Sequence, residues 1–362
     1  MIQLIEKVLG LILGFLVLLD IFLLVLHARA DSGIISRWIS LPLWRGFVGI
    51  SHSLGPRKGS FLSFSGPLIL LTILASWFLL LTLAAALIIH PDLGTGIKNL
   101  HGETPTTFDT ALYNAGHSLD FISGSEFAPD TGQWRLFFLV TSIIGVALTP
   151  LVITYLLEVY NSLKLRNSLG LKVHLHSLET GDAAEVVAGI GPKGKFEAGY
   201  VSLETWASEN NHVKESHHFH PILFFFRFQE PYYSVSRTAL TTLDTVSLIK
   251  SALDDEAHGW LKHSAAVELL WLSTLLELKT LIHTFVPNAD LESPIPSERK
   301  ELWRRRYREG VDRLRRAGIQ ATDMGAEEYV SLRSQWDQYI TLLAPKFAYE
   351  MDEVDTALAK VK

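Results

Sequence analysis

The stretch that decides the fold reads Ser118-Leu-Asp-Phe-Ile-Ser-Gly-Ser-Glu-Phe-Ala-Pro-Asp-Thr-Gly132. It follows a short run at 107–119, whose apolar residues recur at helical spacing but which is too short to cross a bilayer. It precedes a long apolar run at 134–160 that can cross one. This order predicts a segment that enters the membrane and returns, which is tolerated only where protein or a water-filled cavity surrounds it.

Three long apolar runs occupy much of the first 160 residues, roughly at 5–26, 67–90 and 134–160. At about 1.5 Å per residue, each run is long enough to cross the roughly 30 Å hydrocarbon core of a bilayer. The rest of the chain contains no apolar run of that length. The sequence therefore predicts an all-α membrane protein with three transmembrane helices and a helical cytoplasmic domain.

The first run has an alternative interpretation as a secretory signal peptide, because Ala-Arg-Ala at 28–30 resembles a cleavage site. However, the run is longer than the apolar part of a signal peptide and contains Asp20. Its start, with Glu6 and Lys7, has no net positive charge. These features favour a retained transmembrane helix.

The charges of the two long loops predict the orientation. Residues 28–66 carry five basic side chains against Asp31 alone, whereas residues 91–133 carry six acidic side chains against Lys98 alone. Because positive loops stay in the cytoplasm, the first loop is expected inside and the second outside. The N-terminus is then outside and the C-terminal 200 residues are inside.

Residues 34–50 mix bulky apolar side chains with Arg37 and Arg45. This pattern is typical of a helix that lies in the inner membrane interface. Pro42 disfavours a regular helix at this point. A loop that packs against the cytoplasmic domain is the alternative.

The stretch at 118–132 resembles the signature of pore-loop potassium channels, which reads Ser-Leu-Thr-Thr-Val-Gly-Tyr-Gly-Asp-x-x-Pro with a glycine a few residues later. The frame matches at Ser118, Leu119, Pro129 and Gly132. Glu126 stands where the family has aspartate. The resemblance implies an outer helix, a re-entrant pore helix, a selectivity filter and an inner helix, with four copies around one axis. Residues 215–226 are also similar to a segment of bacterial single-pore channels, which implies a bacterial inner (plasma) membrane.

The centre of the filter departs from the family pattern: Phe121, Ile122, Ser123, Gly124 and Ser125 replace Thr-Val-Gly-Tyr-Gly. In the family, filter carbonyls replace the hydration shell of the ion, and glycines permit that backbone. With one glycine left, we expect a wider, partly hydrated opening lined by serine hydroxyls. Glu126 would form a carboxylate ring at the outer mouth that favours cations.

Phe121 replaces a threonine that faces the inner cavity in the family. Four phenyl rings at that position would form a hydrophobic constriction that gates by dewetting. His117 and Asp120 are expected behind the filter, where the alternative is a hydrogen bond that only holds the loop. In the inner helix, Gly145 and Pro150 are candidates for a hinge or gate, although glycine and proline are also tolerated in membrane helices.

Asp20 lies inside the first apolar run, where a charge is costly and usually faces protein or water. We expect it to be protonated or paired with a polar residue of the second run, such as Thr72 or Ser76. Ion transport is the alternative. Structural pairing is favoured because the first run lies outside the two-helix pore unit.

The expected domain limits follow from these assignments. The chain divides into an extra transmembrane helix at 1–30, a cytoplasmic or interfacial linker at 31–66, a pore module at 67–160 and a cytoplasmic helical domain at 161–362. The pore module divides into an outer helix at 67–90, a pore helix at 107–119, a filter at 120–126 and an inner helix at 134–160.

The cytoplasmic half is predicted to be mostly helical, and the best strand candidate is Ile222–Phe228. Helices are expected at about 182–188, 200–217, 233–254, 257–285, 297–317, 325–343 and 346–360. The Gly-x-Gly-x-x-Gly match at 189–194 follows a predicted helix rather than a strand. It therefore lacks the context of a dinucleotide-binding loop.

Two clusters of ionisable residues in the cytoplasmic half are weaker candidates for binding sites. His217, His218 and His220 could ligate zinc, but a pH-sensitive or structural cluster is favoured. An arginine-rich stretch at 299–316 is interleaved with acids and predicts a salt-bridged helix face. The alternative is that Arg304, Arg305 and Arg308 bind lipid headgroups, an anionic ligand or a neighbouring subunit.

The leading hypothesis is a homotetrameric, potassium-channel-like cation channel that conducts K⁺ or Na⁺ with altered or reduced selectivity. A non-conducting membrane scaffold or sensor, in which the pore module serves assembly, is the alternative. No nucleophile–base pair, cofactor motif or phosphate loop indicates an enzyme. The net charge of −6 gives no case for nucleic-acid binding, and without cysteine no disulfide or thiol chemistry is possible. The ligand of the cytoplasmic domain remains open.

Overall fold

The structure, a computed structural model, describes residues 1–27, 33–124, 126–291 and 293–359. The stretch at 28–30 and Ser125, both considered above, lie outside these ranges. The chain divides into two compact units. The first comprises Met1–Arg45 and Pro67–Tyr160, and the second comprises Gly46–Gly66 and the described residues from Asn161 onward.

The described residues of the first half form the helices α1 (Ile2–Ile21), α2 (Ile34–Ser51), α3 (Lys58–Leu62), α4 (Ser65–Ile89), α5 (Phe108–Ser118) and α6 (Gly132–His176). Of these, α1 with its π-helical extension Phe22–Leu26, α4 and α6 are long and apolar enough to cross a membrane. The prediction of an all-α membrane protein with three such helices is therefore confirmed. The helix α6 continues past the predicted end at 160, because the charged sequence that follows remains helical.

Helix α1 packs closely against α4. A Cβ atom added to Gly10 would lie 2.6 Å from the carbonyl oxygen of Ala84, and one added to Gly14 would lie 3.6 Å from the Ala84 Cβ. Small residues on one face let membrane helices approach in this way. The extra helix is thus an integral part of the first unit.

The interfacial segment forms α2, and Pro42 lies inside that helix. A helix at 34–50 was one of the two alternatives for this segment, and the structure has the helix rather than the loop. The missing N–H of Pro42 removes one backbone hydrogen bond but does not end the helix. Trp38 on α2 is 80% exposed, as suits an aromatic side chain at a membrane interface.

Between α4 and α6 the chain forms a small sheet around α5. Strand β1 (Ile97–Asn99) pairs antiparallel with β2 (Phe127–Pro129), and Ile97 lies opposite Pro129. The first strand precedes α5 and the second follows the loop after it. The pairing therefore brings the start and the end of the α5 segment together, as a re-entrant segment requires.

The second unit is helical, with α9 buried on nearly all sides. Its helices are α7 (Ala183–Ile190), α8 (Glu197–Phe219), α9 (Val235–Ala252), α10 (Asp255–Lys262), α11 (Ala265–Phe285), α12 (Ser297–Arg316), α13 (Ala326–Ser334), α14 (Asp337–Lys346), α15 (Met351–Val354) and α16 (Thr356–Ala359). Hydroxyls of α9 donate to carbonyls one turn back, for example Thr245 to Thr241 and Ser247 to Leu243. Small residues whose polar atoms are satisfied within the helix allow α9 to be enclosed by its neighbours.

Four expectations for the second unit are wrong. The predicted strand Ile222–Phe228 begins as a buried 3₁₀ helix, Pro221–Phe225, because a continuous apolar run fits any buried backbone. The predicted helix at 257–285 is divided, since the Ser264 side chain accepts a hydrogen bond from the Val267 N–H and starts α11 anew. The helix expected at 325–343 is likewise divided into α13 and α14. The helix expected at 346–360 is replaced by the two short helices α15 and α16.

The glycine-rich match at 189–194 forms the end of α7 and a 3₁₀ turn, Pro192–Gly194. The element before it is a helix, as the sequence predicted. A dinucleotide-binding loop instead follows a strand and opens a helix. This segment therefore serves as a connection between α7 and α8.

Candidate pore site

The end of α5 lies against the first third of α6. A Cβ atom added to Gly145 would lie 1.7 Å from the carbonyl oxygen of Leu119, the residue that ends α5. Gly145 lies 13 residues into α6, which is roughly 20 Å along the helix axis at 1.5 Å per residue. The loop after α5 therefore reaches well into the apolar length of the membrane helices.

Gly145 and Pro150 lie within an unbroken helix. Gly145 is the residue that admits the Leu119 backbone, since any side chain would collide with it. This contact is a sufficient physical reason for glycine at that position. A hinge at Gly145 or Pro150 remains a prediction.

The buried face of α5 is made of small residues: Ala111, Asn114, Ala115, Gly116 and Ser118. Thr107 occupies the N-cap position, but its hydroxyl contacts the Thr110 hydroxyl at 2.9 Å instead of capping the helix. At the other end, Asp120 adopts a left-handed conformation with φ of 57°. The Phe121 N–H then donates to the Gly116 carbonyl at 3.0 Å, which closes the end of the helix.

His117 and Asp120 both hold the loop. Nδ1 of His117 lies 2.9 Å from the Ile122 carbonyl oxygen, and the Ser142 hydroxyl of α6 donates to Asp120 Oδ2. Tyr113 donates to the carbonyl oxygen of Gly124 at 3.2 Å. The loop at 120–124 is therefore fixed from α5 and from α6, as the structural alternative for His117 and Asp120 required.

Two filter carbonyls, those of Ile122 and Gly124, already have partners within the chain. Each carbonyl oxygen offers two lone pairs, so one acceptor position remains on each. A carbonyl that is hydrogen-bonded to a side chain replaces less of the hydration shell of an ion. A passage for ions at this loop remains a prediction.

Phe121 does not take the position expected of a hydrophobic constriction. Its ring packs edge-to-face on Phe78 of the outer helix α4, with centroids 5.0 Å apart. The expectation of a phenyl constriction facing the inner cavity is therefore wrong for this structure. The side chains of Ile122, Ser123 and Glu126 are exposed instead, and Gly124 is also exposed. The described part of the filter thus presents a mixed apolar and polar surface.

The end of the first unit that carries the segment at 91–133 contains a polar junction that sequence reasoning missed. Asp92 accepts from Lys7 of α1 at 2.7 Å and from the indole N–H of Trp134 in α6 at 3.1 Å. A Cβ atom added to Gly96 would lie 2.2 Å from the Trp134 ring, so glycine leaves space for it. The sequence does show Lys7 within an apolar run, but the apolar pattern does not indicate which residue pairs with it.

A second contact lies beside this junction. His90 Nδ1 is 2.9 Å from Glu6 Oε2, and the His90 ring packs edge-to-face on Phe108, the first residue of α5. Both contacts bring the start of α1 to the end of the bundle where the segment at 91–133 lies. The start of α1 and this segment therefore lie at the same end of the first unit, and their side of the membrane remains a prediction.

Asp20 is fully buried at the other end of α1. Its carboxylate accepts from the backbone N–H of Ile35 at 2.7 Å, the hydroxyl of Ser36 at 2.6 Å and the indole N–H of Trp77 at 2.9 Å. The expected partners Thr72 and Ser76 instead donate to carbonyls of their own helix. Asp20 thus joins α1, the first turn of α2 and α4, which is a structural role.

The histidine cluster of the second unit does not form a metal centre. His217 is buried and faces Glu277 of α11 at 3.8 Å, whereas His218 packs on Phe219. His220 lies at the end of α8. Across the described ranges, no three histidine or acidic side chains converge closely enough to hold a metal ion.

Burial shifts the ionisation of the His217–Glu277 pair. Burial lowers the pKa of His217 to about 3 and raises the pKa of Glu277 to about 8. Both side chains are therefore neutral near pH 7. The contact between them is a neutral one rather than an ion pair.

The three candidate arginines for lipid or anion binding have acidic neighbours within the second unit. Arg304 bonds Glu327 at 2.6 Å, Arg308 approaches Glu301 at 3.4 Å, and Arg305 lies 4.0 Å from Glu309. These contacts match the salt-bridged helix face. Binding of an anion by these arginines remains a prediction. The anion would have to compete with the carboxylates of Glu301, Glu309 and Glu327.

A buried charge network lies nearby and was not anticipated. Arg333 donates to Asp244 at 2.7 Å and to Asp355 at 3.1 Å, and Arg306 contacts the same two carboxylates. Arg333 is 1% exposed and Asp244 is 0% exposed. The network joins α9, α12 and α13 to the segment after α15, and only the fold brings these residues together.

The comparisons with known proteins support the membrane location. Over 218 residues the chain is 25% identical to a protein of Bacillus subtilis (strain 168) named "Uncharacterized membrane protein YdjJ". This chain is a membrane protein. The match covers 60% of this chain and 61% of the relative, so the chain spans about three fifths of that relative's length. No family model and no solved structure match the chain.

Proposed function

We propose that the chain is a subunit of a homotetrameric cation channel of the pore-loop class, with a partly hydrated pore and reduced selectivity for K⁺. One observation supports the proposal: the short helix α5 stands in sequence between α4 and α6, and the backbone of Leu119 at its end lies against Gly145 of α6. Irregular backbone at membrane depth requires surrounding protein or water. Four copies around an axis supply both.

The ion path is assigned to the exposed side of the loop at 122–126. Ser123 contributes its hydroxyl, and the Glu126 carboxylates form a ring at the outer mouth that attracts cations. The permeant ion is a monovalent cation, K⁺ or Na⁺. The membrane is a bacterial plasma membrane with the N-terminus outside, because basic residues dominate the loop at 28–66.

The test is current through the purified full-length protein in planar bilayers under asymmetric KCl. The Glu126→Gln variant removes the proposed carboxylate ring. Glu103→Gln is the matched control, because Glu103 is an exposed glutamate of the same outer loop but lies before α5. A cation-selective current that falls in the first variant and persists in the second would support the proposal.

A non-conducting scaffold or sensor is the second candidate. The bonds of His117 and Tyr113 to the carbonyls of Ile122 and Gly124 favour it, because these two carbonyls are partly used. Absence of current across voltage and pH, in protein that is tetrameric by mass, would favour this candidate. A potassium current gained on replacing Ser123 and Ser125 by glycine would favour a pore that once conducted.

A further inference from the structure

Helix α11 of the second unit has an apolar stripe that its own unit leaves exposed. Leu269, Leu272 and Leu276 are 51%, 52% and 52% exposed. The same face continues to exposed Ala265 before them and to exposed Lys279 after them. The opposite face of α11 packs against α8, α9 and α14. We call Ala265, Leu269, Leu272 and Leu276 the leucine stripe.

The spacing of the leucine stripe is that of a coiled-coil seam. Its members are separated by four, three and four residues, the alternation of a and d positions in a heptad. A buried face of a globular helix is broader than this seam and follows a 3.6-residue period. The pattern therefore calls for one further helix, lying along α11.

The stripe does not suit a lipid surface. Interfacial helices carry several lysines or arginines on their polar face, whereas α11 carries one lysine, Lys279, and no arginine. α11 is also not among the helices of the described residues that could span a membrane. The charges that flank the stripe are instead of opposite sign, Glu268 at one end and Lys279 at the other.

We propose that α11 pairs antiparallel with α11 of a second copy of this chain. In a parallel pair each flanking charge would meet its own copy, which is repulsive. In an antiparallel pair centred at residue 274, Leu272 of one copy lies beside Leu276 of the other. Lys279 then lies beside Glu268 and Leu269 of the other copy, twice by symmetry. Such a two-fold interface is self-complementary.

Three leucines bury less surface than a stable complex of free proteins needs, which is above roughly 1,000 Å² in total. Anchoring of both copies in one membrane raises their effective concentration and makes a small interface sufficient. The pairing does not depend on whether the pore conducts. Failure of the channel proposal would therefore leave it unaffected.

The absence of cysteine from the chain makes cross-linking a direct test. The full-length Leu272→Cys/Leu276→Cys variant is placed in liposomes and treated with a mild oxidant. The matched control is Glu204→Cys/Ser208→Cys, an exposed pair with the same spacing on α8. We expect a covalent dimer on a denaturing gel for the stripe variant, at a yield several-fold above the control. Equal yields, or no dimer from the stripe variant, would overturn the proposal.

A charge exchange in the same background tests the direction of the pairing. Glu268→Lys should lower the dimer yield, and adding Lys279→Glu should restore it, because antiparallel copies again present opposite charges. A parallel pair would keep like charges in register and would not recover. If circular dichroism shows that the variant with both charge changes is folded but its dimer yield does not recover, the antiparallel arrangement is overturned. Glu268 also bonds Lys250 within its own unit at 2.6 Å. Glu268→Lys removes that bond whatever the pairing, so the recovery on adding Lys279→Glu is the decisive measurement.

Discussion

Gly145 of the long helix α6 and Leu119 at the end of α5 are in direct backbone contact, with no space for a side chain between them. This contact fixes the position of α5 along α6. Replacement of this glycine therefore tests the architecture before any question of conduction arises.

Gly145→Ala should destabilise the membrane unit by about 1–3 kcal/mol or more, because overpacking forces the backbone of Leu119 to move. The control is Gly132→Ala in the same helix, where an added Cβ meets nothing within 4 Å. The measurement is the thermal midpoint of both variants in detergent. Equal midpoints would show that the two segments do not touch.

Asp20→Ala should leave the Ser36 hydroxyl and the Trp77 indole N–H buried without their acceptor. Each stranded donor costs about 1–3 kcal/mol, so the loss of stability should be large. Ser76→Ala is the matched control, since the Ser76 hydroxyl bonds only a carbonyl of its own helix. Thermal unfolding followed by tryptophan fluorescence distinguishes the two. A larger effect of the Ser76 variant would contradict the observed partners.

The stability of the second unit should depend on pH through Glu277. Its pKa rises from an ordinary value of 4.5 to about 8 on burial, so the folded state retains a proton that the unfolded chain releases. Stability then falls as pH rises from 4.5 to about 8. His217 has the opposite slope between pH 3 and its ordinary value of 6.5, because burial lowers its pKa to about 3. The two slopes oppose each other below pH 6.5, and the Glu277 slope remains above it.

The thermal midpoint of the natural chain should therefore be lower at pH 8 than at pH 6.5. This difference should be much smaller for Glu277→Gln. Glutamine keeps the size of a protonated glutamate but cannot ionise. Glu204→Gln, an exposed site on α8, should retain the full pH dependence. An unchanged pH dependence in the Glu277 variant would show that this carboxyl is not buried in its neutral form.

Arg333→Met should destabilise the second unit by about 3–5 kcal/mol, since it leaves Asp244 and Asp355 as buried carboxylates with less compensation. Arg308→Ala should have almost no effect, because Arg308 and its partner Glu301 are both more than 60% exposed. Urea unfolding of the two variants is the measurement. Similar losses in both would contradict the buried network.

The sequence was sufficient for the features that depend on local pattern. Apolar runs of sufficient length predicted the three long apolar helices, and the short run at 107–119 predicted the separate helix α5. Prediction from the sequence failed where a segment can adopt either of two local backbone structures. Ile222–Phe228 suits any buried backbone, and Ser264 can either continue a helix or cap a new one.

The sequence also could not predict which residues far apart in the chain contact each other. Asp20 was expected to pair with the second apolar run, yet the choice of Trp77 over Thr72 or Ser76 depends on the rotation of α4. Lys7 and Asp92 are 85 residues apart and meet only because α1 packs along α4. Phe121 was placed by analogy, whereas Phe78 offers its ring a closer apolar surface.

The junction of Lys7, Asp92 and Trp134 also bears on how the chain matures during export. A signal peptidase that cut after residue 30 would release Lys7, and Asp92 would keep the uncharged indole N–H as its remaining donor from the described contacts. The same cut would release Asp20 from the first turn of α2. The N-terminal sequence of the protein isolated from its native membrane therefore reports on this junction: a chain that starts after residue 30 has lost Lys7 and Asp20.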